Sequence, residues 1–339
     1  MAQKLILISA DDPSQASILT EALTKLHNTK DPVDLTGEGL IKTNKIFDVT
    51  EQLDNQWPQL QEKLYQWLNI LKLDHQIIQQ APLLPGLEDC LKVLYLINQI
   101  EDNPSQTMIC ILPPPAQAQR FLLGVVNAPD IIEQLYLPLI TKIIELKEKL
   151  TSLESLLNLK IPRSSSEPLD TNLREKIIKL AKILQCNNSC ECYLAIQNST
   201  VINERISGFY FCGIQASKIW LNSYTKAEDM DILRQKIAPC NLLVTSQAND
   251  FVENAKTWLE TKPINEANIL YSIESNGIHV VSFLMPLINK NKLQVQRSGS
   301  LLLVRSGYLR RSYTLADNLL ALESCGARLE GRRLDVRFR

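Results

Sequence analysis

Leu83 to Pro129 reads LLPGLEDCLKVLYLINQIEDNPSQTMICILPPPAQAQRFLLGVVNAP. An apolar approach runs through a Pro-Gly turn into a helical pattern, then a buried strand over Thr107 to Leu112, then a second helix entered through Arg120. That alternation predicts an α/β sheet with its functional crevice where the strands end. Upstream, Lys4 to Ile8 (KLILI) supplies another buried strand. Ile18, Leu19, Ala22, Leu23 and Leu26 give Ser14 to Leu26 the spacing of an amphipathic helix.

The 339 residues are enough for a large core and two domains. Apolar residues make up 45%, charged residues 22%, and the formal net charge is -1, which excludes disorder, collagen and fibrous classes. Phe121 to Ile144 is broken by Asp130 and Glu133, so no transmembrane span is expected. Leu5 to Ile8 is too short for a signal-peptide core, and Asp11 and Asp12 follow it. The expected location is the cytosol or a plastid stroma-like compartment, with the eight cysteines as thiols. Lys290 to Arg339 holds eleven Lys/Arg against four Asp/Glu, a basic end that reads as a solvated face or a patch for an acidic partner.

Leu60, Leu64, Trp67, Leu68 and Leu71 fall on one face of a helix, and Leu139, Ile143, Leu146, Leu150, Leu153 and Leu157 form a heptad stripe. Both fit core packing, and both fit a hydrophobic groove. Lys160 to Thr171 is a polar linker. Helix and strand then alternate: Leu173 to Leu184, Glu191 to Gln197, Val201 to Ala216, Ile219 to Asn222, Ile232 to Ile237, Asn241 to Thr245 and Phe251 to Leu259. From Asn268 seven short strands follow, starting at Ile269, Ile278, Leu293, Leu301, Leu309, Arg328 and Leu334. Five of the eleven glycines punctuate them, which predicts a β-sandwich.

A phosphate-binding loop needs glycines to aim backbone N–H groups inward and a Lys for the β/γ-phosphates. Between first strand and first helix stand Ser9, Ala10, Asp11, Asp12, Pro13, Ser14 and Gln15, with no Gly or Lys. Gly37 to Thr43 has Ile41 where the glycine before Lys42 belongs, and reads as a turn leading into a strand over Leu40 to Val49. Cys186, Cys190 and Cys192 lack a second ligand pair, and read as a surface loop entering a strand, with zinc shared across a dimer as the alternative. His27, His75 and His279 are scattered. Arg310-Arg311 and Arg332-Arg333 lack an aromatic platform and read as edge-strand charges.

Leu84-Pro85-Gly86-Leu87-Glu88, the helix and strand after it, and Arg120-Phe121-Leu122 together resemble the arsenical-pump-driving ATPase (ArsA) family, which includes the targeting ATPase for tail-anchored membrane proteins. Met285-Pro286, the Gly307 turn with Arg310-Arg311, Leu315 and Gly326-Ala327 with Leu329 resemble the α-crystallin-like, small heat-shock protein type domain that ends one ArsA-like branch. The resemblance implies a P-loop-NTPase-like, mainly parallel sheet with a helical subdomain at about 51–81 and 131–160 inside an α/β domain over 1–265. A small all-β sandwich over 266–339 follows it. Aligned strand to strand, Gln15 takes the place of the family's phosphate-binding Lys, and Ala16 and Ser17 that of its Thr-Thr. An alternative alignment makes Asp12 the water-activating carboxylate, but deletes the central strand. Ile109 to Pro115 lacks the family's magnesium-site Asp.

The expectation is therefore a catalytically degenerate ArsA-like protein without a bound cofactor, or metal, acting as a chaperone-like or scaffold protein. Leu60, Leu64, Trp67, Leu71, Leu139, Ile143, Leu146 and Leu150 would face an apolar client or a paralogous subunit. By resemblance the protein is a homodimer or heterodimer. The first alternative is a residual ATPase binding ATP and magnesium, using Asp12 with Asn222 near an adenine pocket. The second is a partner for nucleic acid or an acidic protein at the basic end, although nucleic acid is not the expected ligand.

Overall fold

The computed structural model describes residues 4–29, 31–43, 45–55, 58, 61–62, 86–104, 106–138, 141–142, 171–197, 199–222, 227–237, 240–245, 248–262 and 266–339. The chain divides into two compact units. The first comprises Met1–Ile46, Asn103–Asn127 and Lys182–Arg339; the second comprises Phe47–Asp102 and Ala128–Ala181.

In the first unit seven strands form one sheet: β1 (Lys4–Ala10), β2 (Val33–Asp34), β3 (Lys45–Ile46), β4 (Thr107–Ile111), β5 (Cys190–Ile196), β6 (Ala216–Asn222) and β7 (Asn241–Thr245). Their order is β3-β2-β4-β1-β5-β6-β7, and every pairing is parallel. The fold is α/β, as the alternation predicts. After β1 the chain crosses through α1 (Pro13–His27) to one side of the sheet, and after β4 it reaches the other side at β5. The strand order thus reverses at β1, and a crevice belongs outside its carboxyl end.

Continuous apolar runs suit strands buried on both faces. Ile6, Ile8, Ile109, Ile111, Tyr193 and Trp220 share a core with Ala16, Leu19 and Leu23 of α1 and with Phe251 and Trp258 of α7 (Ala248–Glu260). Trp220 stacks on Phe251 at 4.1 Å between ring centroids, and its indole N–H donates to the Thr245 hydroxyl at 2.8 Å. Burial of each such side chain contributes about 1.5–3 kcal/mol.

Two expectations need correction. The strand expected over Leu40 to Val49 shrinks to β3. The Asp34 carboxylate accepts from Thr36 N at 2.8 Å and Leu40 N at 3.0 Å, which curls the chain into turns before it can extend. The second helix of the opening stretch, α3 (Pro115–Ile131), begins five residues before Arg120. Pro115 presets the helical φ at its first position.

The carboxyl-terminal strands are β8 (Ile269–Ile273), β9 (His279–Leu284), β10 (Leu293–Ser298), β11 (Leu301–Ser306), β12 (Leu309–Thr314), β13 (Ser324–Glu330) and β14 (Arg333–Phe338). They form antiparallel sheets ordered β13-β14-β9-β8 and β10-β11-β12. Val281, Phe283, Leu302, Val304, Leu334, Val336 and Phe338 fill the sandwich. Gly299 and Gly307, at φ 58° and 60°, make the tight hairpins between β10, β11 and β12. Phe211, ending α5 (Ile202–Phe211), joins the same core.

The second unit contains α2 (Leu87–Asp102), the end of α3, a π-helical turn at Ile132–Tyr136 after Pro129, and most of α4 (Thr171–Gln185). Phe47 meets Tyr95 edge-on at 5.7 Å, and Lys92 lies 5.5 Å over the Phe47 ring. The eight candidate client residues, Leu60, Leu64, Trp67, Leu71, Leu139, Ile143, Leu146 and Leu150, lie outside the described residues. Among the described residues no helix is long and apolar enough to cross a membrane.

Candidate functional site

Outside the carboxyl end of β1 the backbone turns into α1 through Asp11 and Asp12. An Asp-Pro pair at this point suits a helix start, because Asp caps and Pro tolerates the first position. Asp12 is the N-cap, with extended φ/ψ of -124° and 130°. Its carboxylate accepts from Ser14 N at 2.6 Å and from the Ser14 hydroxyl. Its backbone carbonyl accepts from Gln15 N at 3.1 Å and Ala16 N at 3.2 Å. Pro13 has no N–H, so Asp12 takes every backbone donor of the first turn after the cap. A phosphate seated there would need those same donors.

The remaining polar groups are also engaged. Gln197, after β5, donates through its side chain to Asp12 at 2.7 Å and through its backbone to Asp11 at 3.3 Å. Arg205 on α5 pairs with Asp11 at 3.5 Å, which neutralises a cation of the crevice internally. The buried Ser9 hydroxyl donates to the Pro113 carbonyl at 2.8 Å. The Ser14 hydroxyl holds the Asp12 carboxyl below its ordinary range, with burial opposing and Gln197 helping. A carboxylate so stabilised is a weak general base near neutrality.

One side chain stands apart. Gln15 is 1% exposed, and among the described residues neither its amide nitrogen nor its amide oxygen has a hydrogen-bond partner. At the neighbouring strand end, Pro113, Pro114 and Pro115 remove three N–H donors, while Gln117 N and Ala118 N bond to the Pro114 carbonyl. Asn222, at the last position of β6, is half-buried and registers with Thr245, so it is not among the groups gathered around Asp12. Ala10 is buried beside Ser9, in register with Ala195.

The α/β layer is tied to the sandwich by contacts that sequence reading misses. The fully buried Gln119 donates to the Arg205 carbonyl at 2.7 Å and accepts from the Tyr308 hydroxyl at 3.2 Å. Gly208 permits this, since a Cβ there would lie 2.2 Å from Gln119 Cδ. Arg311, read from sequence as an edge charge, is 6% exposed. Its guanidinium donates to the Phe211 carbonyl at 3.0 Å and Gln185 Oε1 at 2.9 Å, and stacks 4.5 Å over Tyr313. The usable signal was parity: Arg311 shares Leu309's face of β12.

Cys190 and Cys192 are buried within β5, and burial pushes both thiols up, away from the thiolate that zinc needs. Cys186 is exposed in the turn before them, where the Ser189 hydroxyl holds its thiol down. Toward the amino end of the strands, Lys218 is 1% exposed and donates to the Leu259 carbonyl, capping α7. Its ammonium lies 5.5 Å from the Tyr193 ring and 5.8 Å from the Trp258 ring, and burial lowers its pKa to about 8.

Residues 276–338 match the family described as "HSP20-like domain found in ArsA". The C-terminal domain is HSP20-like, of the kind found in ArsA proteins. No curated protein sequence matches the chain. The match covers β9 to β14 and carries the relation to ArsA, because that HSP20-like domain follows an all-parallel sheet here.

Proposed function

We propose that the chain is an ArsA-like protein whose nucleotide crevice is degenerate, and that it acts as a chaperone-like or scaffold binding protein rather than as an ATPase. The observation supporting this is the first turn of α1, where Asp12 takes the donors a phosphate would use. The crevice also presents two carboxylates, and its nearby guanidinium, Arg205, is spent on Asp11. Phosphoryl transfer depends on positioning and on charge neutralisation, and neither is supplied by these groups. In this reading residues 1–265 form the ArsA-like α/β domain, 266–339 the HSP20-like domain, and the partner is an apolar client or a paralogous subunit in a homodimer or heterodimer. No cofactor is required, and a reducing compartment such as the cytosol or stroma suits the thiols.

The test is turnover of magnesium-ATP by the intact chain. The expected result is none above background, in the wild type and in Asp12→Ala alike; turnover that Asp12→Ala removes would defeat the reading. For the binding role, Leu64→Ser with Trp67→Ser should weaken capture of an apolar peptide while the fold persists. Loss of the fold alone would make those residues core.

A second reading, residual nucleotide binding, draws on Gln15. A buried amide with both atoms unpartnered is costly unless a polar guest satisfies it. Saturable binding of magnesium-ATP that Gln15→Leu abolishes would favour this reading.

A further inference from the structure

The two edges of the sheet β13-β14-β9-β8 are built differently. β13 carries Arg328 and Glu330, paired at 2.8 Å, and its register shifts between Ser324 and Gly326. Charges and a bulge keep an edge strand from pairing with another chain. In the other sheet the Asn127 amide donates to the Arg310 carbonyl of edge strand β12 at 3.1 Å, and Arg297 of the opposite edge, β10, reaches the Leu320 and Leu322 carbonyls. β8 has no such guard. Ile269, Leu270, Tyr271, Ser272 and Ile273 include no charge, no Pro and no Gly. Leu270 is 44% exposed, Tyr271 60% and Ile273 66%. Exposed apolar side chains are ordinary singly and informative when contiguous.

The backbone of β8 is open in a regular way. Leu284 N donates to the Asn268 carbonyl and Glu274 N to the Ile278 carbonyl, both at 2.8 Å, in an antiparallel register that sets Leu270 opposite Ser282 and Ser272 opposite Val280. Leu270 and Ser272 therefore direct their N–H and C=O groups to β9. The alternation turns those of Ile269, Tyr271 and Ile273 to the free side. Among the described residues no strand lies beyond β8.

This strand is complementary to itself. A second β8 laid antiparallel about a two-fold axis at Tyr271 sets Ile269 against Ile273, Tyr271 against Tyr271 and Leu270 against Ser272. Every open donor then meets an open acceptor, and a shift in either direction leaves one of the three residues without its mate. Charge agrees with that direction. Before the strand two guanidinium groups, Arg332 and Arg333, share Glu266, and after it Glu274 holds Arg337. The antiparallel arrangement lays Glu274 of one copy beside the end of the other that has the surplus guanidinium, whereas a parallel one stacks like ends.

We propose that β8 is the interface of a homodimer, in which two copies join their β13-β14-β9-β8 sheets edge to edge about a two-fold axis at Tyr271. β8 precedes residues 276–338, so the family match does not cover it. The inference does not rest on a degenerate crevice, because strand pairing and ATP turnover are measured separately.

Sedimentation equilibrium of the intact chain, over about 1 to 100 μM, tests it. A reversible dimer with a micromolar dissociation constant is expected. Tyr271→Lys should raise that constant about tenfold or more, because each new ammonium faces its own copy across the axis. The side chain is exposed, so the fold should persist, which far-ultraviolet circular dichroism checks. For the register, Leu270→Cys with Ser272→Cys, in a background of Cys90→Ser, Cys186→Ser and Cys325→Ser, should oxidise to a covalent dimer. Directly opposed residues of this kind lie about 4.5 Å apart at Cα, within reach of a disulfide. A chain monomeric throughout that range, a dimer that Tyr271→Lys leaves intact, or a dimer that the cysteine pair does not cross-link overturns the proposal. So does a monomer that pairs β8 with a foreign extended peptide instead.

Discussion

Asp12 acts as a cap through both its side chain and its carbonyl, and its replacement has a defined signature. Asp12→Ala should cost about 1 kcal/mol in urea denaturation at neutral pH. Because the Ser14 hydroxyl holds the carboxyl below its ordinary value of 3.8, its contribution is present above that pH. It is lost as pH falls through the lower folded value, so the stability gap between wild type and variant should close in acid. Gln15→Leu should move stability the other way, by about 1 kcal/mol upward, if no guest occupies the site, since it removes an unsatisfied buried amide. Arg311→Ala should lower stability by about 1–3 kcal/mol, because it leaves the Phe211 carbonyl and Gln185 without their donor. Denaturation midpoints at equal m-value measure all three.

Elements were legible wherever their own residues decide them. The parallel strands are apolar runs that survive on both faces, and β8 to β14 stand within a few residues of the expected starts, with Gly277, Gly299, Gly307 and Gly331 in the turns before β9, β11, β12 and β14. β3 was over-read because Leu40 and Ile41 are apolar, yet they pack on the core from a turn pinned by Asp34. The capping role of Asp12 was legible in the Asp-Pro pair, since Asp favours the cap and Pro the first helical position. Contacts between elements were not legible: Gln119 lies 86 residues from Arg205 and 189 from Tyr308. Gly208→Ala tests that junction. The added methyl must displace Gln119, costing about 1–3 kcal/mol as overpacking does, and the loss should shrink in a Gln119→Ala background.

At the scale of the whole molecule, buried thiols set the response to alkali. Burial raises Cys110, Cys190, Cys192, Cys212 and Cys240 above their ordinary value of 9.0, Cys212 to about 12 and Cys240 to about 11. Their contribution is complete below pH 9 and is lost as pH rises toward the folded values, because the unfolded chain then releases protons that the folded chain keeps. Lys218 opposes this between about 8 and 10.5, where the unfolded chain holds the extra proton. Five groups outweigh one, so stability in urea should fall steadily above pH 9. A flat profile to pH 11 would contradict that burial.

The central claim concerns the crevice at β1, where the sheet is all-parallel and the backbone donors in the first turn of α1 belong to Asp12. Isothermal titration of the intact chain with ATP in excess magnesium tests it most directly. The account predicts no saturable heat up to about 1 mM nucleotide, a free energy weaker than about -4 kcal/mol. A micromolar dissociation constant would contradict it.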